Sequence, residues 1–196
     1  MKNFILTIST GLIFTSALAQ KPAPEKTFSF KIDGAISNYA GKFIYLHHRW
    51  DEKDFTDSAK VVKGKFAFSL KSIDPNMYWF TTVRENNAQP NTIFFVDEGT
   101  IKANLKGDSM AYSVISGGQA QRDYLEYRQM INNFVLVQQK MQADYNTAIQ
   151  NNDVNTQNSI KAEYQNLNGQ FLGGLKNYVK THTKSPVSGF IIYNDL

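Results

Sequence analysis

The chain has no cysteine among its 196 residues. Without a thiol it can host no redox dithiol, no cysteine nucleophile, no thiolate metal site and no disulfide, so its stability must come from packing. Histidine is almost as scarce, with three residues. The adjacent pair His47 and His48 falls in a strand pattern, where neighbouring side chains project to opposite faces, so the two rings cannot chelate one ion. His48 with Asp51, Asp54 and Asp57 reads as a polar surface loop between two strands rather than an oxygen-rich metal site. Ser58 lacks the Gly-x-Ser-x-Gly elbow of a hydrolase. Ser116-Gly117-Gly118 lacks the Lys-Ser/Thr ending of a phosphate loop. Asp97 and Glu98 read as a turn before Gly99, not as an acid and base pair, because they too project oppositely.

Long apolar runs and strong charge are also missing. The stretch from Phe4 to Leu18 is broken by Thr7, Ser9, Thr10, Gly11, Thr15 and Ser16, and falls short of the roughly 20 residues a membrane span needs. With Lys2 before it and the small-residue box Ala17-Leu18-Ala19 after it, it reads as a secretory signal cleaved before Gln20. No cysteine follows the box, which excludes a lipid-modified amino terminus. Removing residues 1–19 leaves 177 residues carrying 20 basic and 17 acidic side chains, a net charge of +3. That balance is too mild for a nucleic-acid partner, and the densest lysines, Lys60, Lys63 and Lys65, lie around a turn where solvated charge is expected. No stable span is expected once the signal is removed.

What is present is aromatic and periodic. Fourteen Phe and ten Tyr can supply a core. After a proline-punctuated, mobile leader at 20–26, Phe28, Phe30 and Ile32 alternate with polar residues, the period of a half-buried strand. Gly34 and Ala40-Gly41 punctuate the pattern. Further strand signals follow at 42–46, on both sides of the glycine turn at Gly64, at 77–83, 92–96, 101–105 and 112–115. Seven or eight short strands at near-regular spacing predict a β-rich domain over 27–116, an antiparallel sandwich or an open barrel.

At Gly117-Gly118 the period changes from two to three or four. Tyr124, Tyr127, Ile131, Phe134, Val137, Met141, Tyr145 and Ala148 form one stripe of a long amphipathic helix. Asn151-Asn152-Asp153 interrupts it and can cap a second helix carrying Ile160, Tyr164, Leu167, Phe171, Leu175 and Tyr178. The spacing predicts a helical hairpin over 117–185, hence an α+β chain. No Glu-x-x-His pair is present on either helix, so the stripe reads as packing and no cofactor is expected. Pro186 ends the helical region. Residues 186–196 read as an apolar tail or linker whose abrupt end suggests a further domain.

Several short signatures resemble a known family. They are Phe30-x-Ile32-x-Gly34, Gly41-Lys42-x-Ile44-Tyr45-Leu46, Asp57-Ser58-Ala59, Gly64-Lys65-Phe66-x-Phe68, Phe94-Phe95-Val96 with Gly99, and Ser116-Gly117-Gly118 before a hairpin. Together they resemble the amino-terminal domain of unknown function that precedes thioredoxin-like domains in exported thiol-disulfide oxidoreductases of Gram-negative bacteria. The resemblance runs over roughly 27–190 and implies a periplasmic location. It implies no catalytic residue here, because the Cys-x-x-Cys domain has no counterpart in the chain.

The expectation is therefore a non-catalytic recognition or positioning module. Its partner would be a client protein or an appended thioredoxin-like domain. An alternative is a small-ligand or glycan carrier using Tyr45, Trp50, Tyr78 and Trp79 around an open sheet end. Self-association through the apolar helix stripe is a third expectation.

Overall fold

The computed structural model describes residues 27–72, 75–85 and 92–196. The expected signal, with Ala17, Ala19 and Gln20, and the leader at 20–26 lie outside the described residues. Eight strands precede three helices in the described chain: β1 Phe28–Ser37, β2 Phe43–Trp50, β3 Lys53–Lys60, β4 Lys65–Ser72, β5 Asn76–Thr81, β6 Ile93–Val96, β7 Gly99–Lys106 and β8 Val114–Ser116, then α1 Gln119–Gln150, α2 Val154–Thr181 and α3 Pro186–Asn194.

The strands form two four-stranded sheets, ordered β4-β1-β7-β8 and β3-β2-β5-β6. The α+β class and the sandwich-like arrangement expected from strand spacing are both observed, and no barrel closes. One pairing departs from an antiparallel sandwich: β1 and β7 run parallel, with Ile32 opposite Ile101 and Ile36 opposite Leu105. Between the sheets lie Phe30, Ile32, Ile44, Leu46, Phe66, Phe68, Tyr78, Phe80, Phe94, Val96, Ile101 and Leu105, all buried. In β1, β4 and β7 these residues alternate with exposed neighbours, the direct consequence of period-two side-chain projection, whereas β5 and β6 are buried on both faces because the helices cover their outer side.

Two strand expectations are corrected. Gly34 does not end β1; the strand runs through it because the Phe66 ring lies over the bare backbone, where a Cβ would come within 2.1 Å of that ring. The polar stretch after Trp50 is not a loop but β3, paired residue for residue with β2 from Phe43↔Lys60 to Trp50↔Lys53. The turn that joins them uses Asp51 and Glu52 with φ of 48° and 60°, the left-handed geometry that hairpin turns usually give to Asn and Gly.

A second apolar cluster sits on the outer face of the β3-β2-β5-β6 sheet. Phe95 from β6 packs with Ala120, Tyr124 and Tyr127 of α1, Leu175 and Tyr178 of α2, and Val187 and Ile191 of α3. The segment read as a tail is thus a helix: Pro186 opens it at a position that needs no N–H donor, Ser185 caps it, and Val187 and Ile191 are fully buried.

Beyond this base the hairpin continues alone. In α1 only Ala148 is buried after Tyr127, and in α2 only Leu175 and Tyr178 are buried. Phe134 stacks on Phe171 with ring centroids 4.2 Å apart, while Val137, expected on the seam, is 45 % exposed. Asp153 accepts from Thr156 N–H at 3.0 Å and starts α2, as the sequence suggested. No helix of the described residues is long and apolar enough to cross a membrane.

Candidate functional site

The helical layer is fastened to the sandwich by two polar side chains. Gly117 and Gly118 have φ of 105° and 71°, so the chain enters α1 through a bend that L side chains resist. Gly118 supplies no capping side chain. Instead Asp97, from the turn after β6, reaches across and accepts from Gln119 N–H at 2.8 Å and Ala120 N–H at 2.9 Å through Oδ2. Its Oδ1 is buried without a hydrogen-bond partner among the described residues. Gln121, 2 % exposed, then bridges the open edges of the two sheets. Its Oε1 accepts from Phe95 N–H of β6 at 3.0 Å and its Nε2 donates to the Ile115 carbonyl of β8 at 3.2 Å.

That attachment creates a cleft of about 510 Å³ where the β2–β3 hairpin, the start of β5 and the corner between α2 and α3 meet. Its apolar lining comes from Trp50, Met77, Phe95, Pro75, Pro186 and Phe190, and its polar lining from Arg49, Asp51, Asn76, Thr183, Lys184 and Ser185. A neighbouring hollow of about 480 Å³ shares Pro75 and the 183–186 corner and continues past Asp97, Gln119, Asp123 and His182.

The walls are fixed from both sides. Arg49 donates to both carboxylate oxygens of Asp54, at 2.6 and 3.1 Å, which also keeps the guanidinium charged. Asn76 donates to the Arg49 carbonyl at 2.9 Å and accepts from Met77 N–H at 2.7 Å. On the helical side Ser188 Oγ donates to the His182 carbonyl at 2.7 Å. Tyr127 donates to Asp195 at 2.7 Å, and burial together with that carboxylate pushes its phenol far above the ordinary range. Tyr178 donates to the Asp123 carbonyl at 2.8 Å while its ring stacks on His182.

The four aromatics singled out in the sequence do not converge. Trp50, 38 % exposed, is the one that lines the cleft. Tyr78 points into the sandwich core. Trp79 is buried on the opposite face against His47, with its indole N–H unpartnered among the described residues. Tyr45 is half-buried on the outer side of β2.

His47 is fully buried and bonds both ring nitrogens, Nδ1 to Thr56 Oγ1 at 2.9 Å and Nε2 to Thr81 Oγ1 at 2.7 Å. Thr81 donates its own proton to the Val83 carbonyl, so it accepts from Nε2–H. Burial lowers the pKa of the ring against the raising effect of Asp54, which favours the neutral form, and in that form Thr56 donates to Nδ1. His48, on the other face, is lowered by burial too. This separation is the one expected of adjacent strand residues.

Sequence reasoning missed Met77, Phe95, Lys184 and Phe190 as partners of Trp50. They come from four segments, and only the helical nature of 186–194 brings Phe190 to the sheet. Chemically, the cleft can hold a flat apolar group against Trp50 and Phe190 with polar atoms along its rim. Among the described residues no group of three or more His, Cys, Asp or Glu is placed to hold a metal ion.

Residues 30–124 match the model of a family described as a domain of unknown function, DUF4369. The matched stretch runs from β1 to the second turn of α1 and so includes Trp50, Asp97 and Gln121. None of the curated proteins and none of the solved structures compared matches the chain.

Proposed function

We propose that the chain is a non-catalytic recognition module of the bacterial cell envelope that holds a thioredoxin-like oxidoreductase domain, or the client of one, in position. The observation that carries this reading is the Trp50 cleft, an aromatic hollow with a hydrogen-bonding rim. Binding sites of this kind combine apolar walls with a few convergent polar groups. Tryptophan and arginine are also among the residue types enriched where protein partners are anchored. The domain-of-unknown-function match is compatible with a module that has no chemistry of its own, and the absence of cysteine means that any dithiol step would be the partner's.

Calorimetric titration of the full chain with a thioredoxin-like domain from the same envelope tests the proposal. Saturable binding that Trp50→Ala weakens at least ten-fold is the expected result. Binding unaffected by that change, or none at all, would refute the role of the cleft. A second reading, a glycan carrier, draws on the Trp50 ring lying beside Arg49 and Asp51, since a sugar ring can stack on indole while its hydroxyls bond charged groups. Titration with envelope glycans in place of the protein separates the two.

A further inference from the structure

The outer face of the β4-β1-β7-β8 sheet gathers lysines that are far apart in sequence. Alternation along each strand puts Lys31 and Asp33 of β1, Lys65 and Lys71 of β4, and Lys102 and Lys106 of β7 outward, all exposed. The registers align them on one surface: Lys31 is opposite Ser69 and Thr100, Asp33 opposite Lys102, Ser29 opposite Lys71, and Ser37 opposite Lys106. Five lysines against one aspartate give this face a net charge of +4, equal to the formal net charge of the whole chain. None of the five is in a salt bridge among the described residues. Glu98 and Asp108 sit on the turns at its two ends, outside the strands, and neither is in a salt bridge with these lysines.

The face is also flat and bare. Between the lysines stand Ser29, Ala67, Ser69, Thr100 and Asn104, with no aromatic residue among them, and a hollow of about 520 Å³ lies only at the β8 edge, against Val114 and Ser116. The helices pack against β6 and β8 and leave this side open. Three long strands about 4.8 Å apart, with about eight residues at about 3.3 Å each, and the short β8 beside them make a platform of roughly 400 Å². A peptide or a sugar would need a groove or a ring to stack on. A plane of phosphates needs only charge at matching density.

We infer that this sheet face docks the protein on an anionic lipid bilayer surface, through Lys31, Lys65, Lys71, Lys102 and Lys106. The inference is independent of the Trp50 cleft, which lies on the helix-bearing sheet and would stay open to a partner. Each basic residue brought to an anionic leaflet strengthens partitioning by about five-fold, and the attraction fades within a Debye length. A basic patch alone gives reversible attachment, so the binding should be weak and salt-sensitive.

The test is vesicle co-sedimentation of the full chain at low salt, with phosphatidylglycerol–phosphatidylcholine vesicles and with pure phosphatidylcholine. The variant Lys31→Glu/Lys102→Glu is compared in the same background, so any contribution of the apolar amino-terminal stretch is common to both. Expected are binding to the anionic vesicles alone, loss in high salt, and a drop of at least ten-fold in the double variant. Lys176→Glu/Lys180→Glu on α2, an equal change of net charge away from the face, should retain binding within about three-fold. Equal binding to neutral vesicles, equal loss in the α2 variant, or no vesicle binding would each overturn the inference. Retention on a soluble polyanion without vesicle binding would overturn it in favour of an acidic polymer.

Discussion

Replacing Asp97 by alanine should loosen the helical layer from the sandwich. The carboxylate accepts from the first two free N–H groups of α1, at 2.8 and 2.9 Å, and among the described residues no other side chain caps that end. Loss of a helix cap costs typically about 1 kcal/mol and up to about 2. Loss of the negative charge facing the helix dipole adds about 0.5 kcal/mol. Water can reach Gln119 and recovers part of this, so the expected destabilisation is about 2 kcal/mol. For a chain of this size that lowers the melting midpoint by about 4–8 °C. An asparagine at this position would keep the accepting oxygen and lose the charge, so Asp97→Asn should cost only about 0.5 kcal/mol. Glu98→Ala, one residue along and exposed, should change little. Urea denaturation monitored by far-ultraviolet circular dichroism reads all three. An Asp97→Ala midpoint indistinguishable from that of Glu98→Ala would refute the argument that this carboxylate starts α1.

The same packing sets three further outcomes. Gly118→Ala should cost about 1–3 kcal/mol, because the residue sits at φ 71° and a Cβ would lie 2.2 Å from Asp97 Oδ1; pairing it with Asp97→Ala should make the two costs less than additive in a double-mutant cycle. Gln121→Leu leaves the Phe95 N–H and the Ile115 carbonyl unpaired at the buried sheet edges, a loss of about 3 kcal/mol by denaturant unfolding. His47 and His48 both have lowered pKa values in the folded state. The unfolded chain therefore binds more protons, and the stability that the neutral rings supply is complete above about pH 6.5 and lost as pH falls through the lowered folded values. The stability measured by urea unfolding should fall between about pH 7 and pH 5, and an unchanged urea midpoint over that interval would contradict the neutral, doubly bonded His47.

Most of the sandwich was legible because its core strands alternate strictly: Phe30, Ile32 and Ile36 or Ile101, Ala103 and Leu105 announce a buried face. The hairpin was legible for the same reason at another period, and Asp153 marked its turn. β3 was not, since an edge strand exposed on both faces has no hydrophobic period, and its Asp51-Glu52 turn lacks the usual glycine. α3 was misread because Val187 to Tyr193 is apolar on nearly every side, which gives length but no periodicity. The parallel pairing of β1 with β7 is a tertiary choice that local pattern does not encode. The cleft was legible only at Trp50. Its other walls come from segments scattered along the chain, and a pocket assembled across such distances leaves no spacing to read. The basic sheet face was hidden similarly, because its lysines are scattered singly from Lys31 to Lys106 and only the strand register collects them.

The recognition role stands or falls on Trp50, and the chain offers a clean optical test. It contains two tryptophans, of which Trp79 is 6 % exposed and Trp50 is 38 % exposed. In the Trp79→Phe variant the remaining emission reports on the cleft alone. Titration with the thioredoxin-like partner domain, itself free of tryptophan or with its own emission subtracted, should shift that emission to shorter wavelength in a saturable way as Trp50 leaves water. Emission that stays at its solvent-exposed wavelength at saturating partner would contradict the account.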